Sequence, residues 1–126
     1  MPNLFVDDES TIDLDFDDGS RIVLRKYSDA GIEEEVEGEM IRVQLEQGPK
    51  KNEPVAREAR IRQGNLRLVQ LMVLKIIDPS GKEQRAPIGM VTLRRFDRAA
   101  LALIMDTITQ YNPPFSQLRQ ETEATS

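Results

Sequence analysis

Apolar and polar residues alternate singly through residues 11–16, where Asp13 and Asp15 separate Ile12, Leu14 and Phe16. That is the two-residue period of a strand with one wet face. Asp17-Asp18-Gly19-Ser20 supplies a turn, since aspartate and glycine tolerate the left-handed backbone of a tight hairpin. Ile22 and Leu24 then return on the buried face, so residues 11–26 are expected to form a β-hairpin. An isolated hairpin is marginal in water, and something apolar must cover it.

The period then changes to that of a helix. Ile32, Val36, Met40 and Val43 fall at i, i+4, i+8 and i+11, one stripe of a helix capped by Ser28 or Asp29 and running to about Leu45. Glu33, Glu34, Glu35, Glu37 and Glu39 crowd its first half, where the helix dipole favours negative charge. Gly38 sits inside the stripe at a cost of up to about 1 kcal/mol. A polar connection over 46–52, broken by Gly48-Pro49, leads to Pro54, a proline suited to a helical first turn. Residues 55–77 start charged and end almost wholly apolar. From Leu66 onward the polar exceptions Arg67, Gln70 and Lys75 share one narrow face, which predicts a mostly buried helix whose last residues could equally be a strand.

Asp78-Pro79-Ser80-Gly81 reads as a turn, and residues 82–90 as extended or irregular. The stretch VTLRRFDRAALALIMDTITQYNPPF, 91–115, predicts a helix capped by Thr92 or Asp97 and stopped at Asn112-Pro113-Pro114. Ala100, Ile104, Ile108 and Tyr111 form its central stripe, with Leu101, Leu103 and Met105 on the flanks. This apolar surface covers more than half the turn, more than one hairpin face requires. Packing against the helix ending near Ile77 would use the excess, and so would a second polypeptide. No repeat of 20–50 residues is visible. The expected architecture is α+β: one domain over residues 1–115, with an N-terminal hairpin covered by about three helices, and a disordered, flexible C-terminal tail over 116–126.

Composition narrows the class. A chain of 126 residues suits one domain that buries roughly two-thirds of its unfolded surface. With 39% apolar and 31% charged residues, the core is expected to be small. No apolar run approaches the roughly 20 residues of a membrane span. The segment MPNLFVDDES is acidic where a signal peptide would be basic, so a cytoplasmic location is expected. The net charge of −5 hides a split: residues 1–48 hold 14 acidic and 4 basic side chains, residues 49–126 hold 8 and 13. Such polarity can hold one half of a fold against the other or order subunits head to tail, so a homo-oligomer is one expectation.

Chemistry has little to work with. There is no histidine and no cysteine, hence no imidazole base, disulfide or thiolate metal site. The run DLDFDDG resembles the start of a calcium loop, but Asp18 occupies the sixth position, which needs glycine, and Leu24 the twelfth, which needs glutamate. The scattered glycines build no phosphate-cradling motif and no serine-centred elbow. The expectation is no enzyme, no cofactor and no metal. If 54–67 is helical, Arg57, Arg60 and Arg67 share one arc with Arg62 outside it, following Lys50 and Lys51. That patch could track phosphates, yet Glu53 and Glu58 interrupt it and no aromatics interleave to stack on bases, which disfavours nucleic acid.

The order of parts in residues 60–112 resembles the tail assembly chaperones of long-tailed bacteriophages. The arginine-rich lead and apolar segment ARIRQGNLRLVQLMVLKIID, the turn DPSGK, the short LRRF and the final apolar helix DRAALALIMDTITQYN match that order, and the hairpin IDLDFDDGSRIVLRK suits the opening of such a protein. The resemblance implies a non-catalytic protein of the infected cytoplasm. It would coat the tape measure protein and keep it soluble while tail tube subunits polymerise around it. On that reading the client would engage Leu101, Leu103 and Met105, the basic patch Arg57, Arg60 and Arg67, or both. A small nucleic-acid-binding protein and a structural head or tail protein are the alternatives.

Overall fold

The computed structural model describes residues 3–115; the tail expected over 116–126 lies outside them. The first hairpin forms as the alternation predicts. Strands β1 (Thr11–Asp15) and β2 (Arg21–Arg25) pair antiparallel, with Ile12 opposite Leu24 and Leu14 opposite Ile22. Gly19 closes the turn at φ 90°, a conformation that glycine alone adopts without strain. On the wet face Arg21 reaches across to both aspartates, bonding Asp15 at 2.6 Å and lying 3.8 Å from Asp13.

Helix α1 (Ala30–Gln47) is capped by Asp29, whose carboxylate accepts the Ile32 N–H at 2.9 Å. Its end is set by Gly48 at φ 59° and ψ −130°, and a 3₁₀ turn at Gly48–Lys50 reverses the chain. Helix α2 (Pro54–Met72) starts with its proline in the first turn, where the missing N–H has no helical partner to lose.

The apolar run after Leu66 divides into a helix and a strand. Helix α2 stops at Met72, and Val73–Ile77 continues directly as strand β3, antiparallel to β2, with Ile76 opposite Ile22 and Val73 opposite Leu24. Tertiary pairing decides this, since as a strand β3 satisfies its backbone against β2 on one side and the segment after the next turn on the other. The Asp78–Gly81 turn, in which Asp78 accepts the Ser80 and Lys82 N–H groups at 2.9 Å each, leads into a short β4 (Glu83–Arg85). The sheet therefore has four strands in the order β1-β2-β3-β4, with a second hairpin beside the expected one.

The closing helix is shorter than its apolar stretch. A single turn, α3 (Met90–Leu93), precedes a break at Arg94–Phe96, and α4 (Arg98–Tyr111) begins at Asp97, whose carboxylate accepts the Ala99 N–H at 3.0 Å. Of the two caps open to the sequence, Asp97 is the one used. The core joins Ile22 and Leu24 of the sheet to Ile32, Val36, Leu68, Met72, Ile104 and Ile108, with Ile88, Leu93 and Phe115 closing its edges. Burying such aliphatic side chains is worth about 1.5–3 kcal/mol each. No described helix is long and apolar enough to cross a membrane.

Candidate protein-binding surface

Helices α1 and α2 form an antiparallel hairpin whose seam is held by polar side chains. Arg67 donates to Glu35 at 2.8 Å, Gln63 to Glu39 at 3.2 Å, and Arg60 to Gln47 at 2.8 Å. Gln47 in turn donates to the Ala56 carbonyl at 2.8 Å. At the base of this hairpin Ile32, Val36, Leu68, Val69 and Met72 are buried. Beyond Val36 on α1 and before Ile61 on α2 no side chain is buried, so the far half stands as an arm outside the core. At 1.5 Å per residue, each helix is roughly 27 Å long.

Apolar residues remain on this arm nonetheless. Ile41 is 49% exposed, Leu45 77% and Val55 76%. Ile41 and Leu45, one helical turn apart, border a shallow groove of about 490 Å³ completed by Gln44, Gly48, Pro49 and Lys51. On the same helix Arg42 bonds Glu39 and Glu46, each at 2.5 Å. The Arg42 bond, with a further bond from Gln63, holds the Glu39 carboxyl below its ordinary value despite some desolvation. A second groove, lined by Val43, Ala59 and Leu66 with Arg42, Glu46, Arg62, Gln63 and Arg94, is more polar.

The residues singled out in the sequence fall differently from their expected grouping. Arg60 and Arg67 turn into the α1–α2 seam, where they bond Gln47, the Lys51 carbonyl, Glu35 and Gln70. Arg57 is exposed one turn nearer the tip. The basic arc therefore acts first as the seam of the arm. On α4, Met105 is 6% exposed and belongs to the core, and Leu101 packs against it. Leu103 alone of the three stays open, at 43%. Most of the excess apolar surface of this helix is consumed internally, since Ile104, Met105 and Ile108 are buried and Leu101 packs against the core.

The tip residues Ile41, Leu45 and Val55 were not singled out by the sequence. A signal existed: Ile41 and Leu45 form an i, i+4 pair outside the stripe of Ile32 and Val36. Among the described residues no group of three or more acidic side chains is placed to hold a metal ion. No family model matches the chain, and neither a curated protein nor a solved structure matches it.

Proposed function

We propose that this chain is a non-catalytic binding protein of the tail-assembly-chaperone type. It holds a long helical client, a tape measure protein, in the host cytoplasm while tail tube subunits assemble. The observation that carries the reading is the apolar tip of the α1–α2 arm, where Ile41, Leu45 and Val55 stay exposed on a projecting helical pair. Single exposed apolar residues are ordinary; Ile41 and Leu45 side by side on one groove, with Val55 exposed at the start of the other helix, mark a surface that meets another polypeptide. An amphipathic client helix would lay anchors spaced i, i+4 into that groove. The ion pairs of Arg42 beside it keep the flank polar.

This reading moves the client contact from the flank of α4, which is largely spent on the core, to the arm. The engagement of Arg60 and Arg67 within the seam also takes support from a nucleic-acid role. Co-expression with the tape measure protein encoded in the same genome is the test. The client is expected to become soluble and to copurify, and Leu45→Asp, at an exposed position, is expected to abolish both. A client that stays insoluble, with nothing copurifying, ends the reading.

A further inference from the structure

We propose that the groove at the tip of the arm receives the N-terminal segment of a second copy of this chain. Leu4, Phe5 and Val6 lie against Ile41, Leu45 and Pro49, with Asp8 and Glu9 beside Lys50 and Lys51. Both halves of this contact are open in the single chain. Leu4 is 88% exposed, Phe5 82% and Val6 47%, three consecutive apolar side chains of which the first two have almost no cover. The order of chemistry matches as well. Three apolar residues precede Asp7, Asp8 and Glu9, while Lys51 lines the apolar groove and Lys50 adjoins it in the chain.

A chain does not fill its own groove: Leu4 and Phe5 stay more than four-fifths exposed. Asp7 accepts the N–H groups of Glu9 and Ser10, at 3.0 and 3.1 Å, and so fixes a turn where the segment leaves β1. The Ser10 carbonyl accepts the Lys26 N–H at 3.0 Å, which anchors that exit just before the Ala30 end of α1. Leu45 lies 15 residues further along α1, roughly 22 Å by helical rise. Phe5 precedes Ser10 by five positions, a backbone reach of at most about 18 Å fully extended, and the turn at Asp7 shortens it. A second copy has no such limit. Segment and groove are different surfaces, so the contact is heterologous and copies add head to tail. The contact shares the tip with the proposed client, which would displace the segment, but it does not depend on that reading.

Sedimentation velocity on the full chain alone, over a concentration series, tests it together with Phe5→Asp and Leu45→Asp. Both positions are more than three-quarters exposed, so both variants should keep the far-UV spectrum and melting point of the parent. The parent is expected to gain mass with concentration and to lose part of the gain at high salt, where the lysine–carboxylate contacts are screened. Each variant should stay monomeric, yet an equal mixture should form one-to-one dimers and stop, since one pair retains a single intact junction. A peptide of residues 3–10 should bind Phe5→Asp and not Leu45→Asp. A parent that is monomeric throughout, a variant that associates like the parent, or a mixture that stays monomeric overturns the proposal.

Discussion

Asn112 and Ser28 are 84 residues apart in the chain and joined by one hydrogen bond, the Ser28 N–H donating to the Asn112 Oδ1 at 2.8 Å. The same side chain donates from Nδ2 to the Lys26 carbonyl at 2.9 Å and to the Ile108 carbonyl at 2.8 Å. It is the buried polar residue of the described core, 5% exposed, and it clamps the end of α4 to the link between β2 and α1. Tyr27 and Tyr111 meet edge to face beside it, with the Lys26 ammonium 4.9 Å from the Tyr111 ring centre.

Asn112→Ala leaves the Ser28 N–H and the Lys26 carbonyl without that partner, and is expected to cost about 1–3 kcal/mol in urea unfolding. Asn112→Asp keeps the acceptor for Ser28 but sets a carboxylate against two carbonyls. Burial there raises its pKa, so the variant should recover stability as pH falls and the acid regains a proton to donate. An Asn112→Asp chain whose stability is flat with pH would argue against the clamp.

Two glycines of one helix region should respond to alanine with opposite signs. Gly38 lies inside α1 with open space around its Cα, so Gly38→Ala should stabilise by about 0.5–1 kcal/mol. Gly48 has equally open space, but its φ of 59° and ψ of −130° suit glycine alone, so Gly48→Ala should destabilise by about 1–3 kcal/mol. Thermal melts of the two variants side by side check both.

The flanks of α4 make a second contrast. Met105→Ala removes a core side chain and should cost about 2–5 kcal/mol. Leu103→Ala, at a position 43% exposed, should stay within about 0.5 kcal/mol of the parent. Equal losses in chemical denaturation would contradict the packing of this helix.

Glu39 makes the acid limb of stability partly a property of the arm. Its folded pKa is depressed, first by Arg42, below the ordinary value of 4.5. A depressed carboxylate stabilises above its unfolded pKa and loses that contribution as pH falls through its folded one. Glu39→Gln should therefore be less stable than the parent at neutral pH, and the gap should close below about pH 4.5. Urea midpoints measured across that range decide it.

What was legible in the sequence was local. The alternation of Ile12 and Leu14, the Asp29 and Asp97 caps and the proline opening α2 are short-range signals, and each is realised. The stripe of α1 shows the limit of such signals. Ile32 and Val36 are buried, but Met40 and Val43 of the same stripe are only half-buried, because the core ends beneath them. Periodicity gives the direction in which a helix face turns and says nothing of how far the core extends. For the same reason the tip groove and the partners of Arg60 and Arg67 stayed hidden, and the sequence left helix and strand both open for Val73–Ile77. Each depends on residues distant in sequence, on β2 for the strand and on Gln47 and Glu35 for the arginines.

The passage from Met72 to Val73 has no intervening loop: one leg of the arm continues as an interior strand of the sheet, flanked by β2 and β4. The other leg enters through the Lys26–Ser28 segment that Asn112 grips. Neither leg has a slack joint. A load applied at the far end is carried into the sheet as torque, and the arm behaves as a stiff lever whose displacement must strain the strand ladder or leave it unmoved.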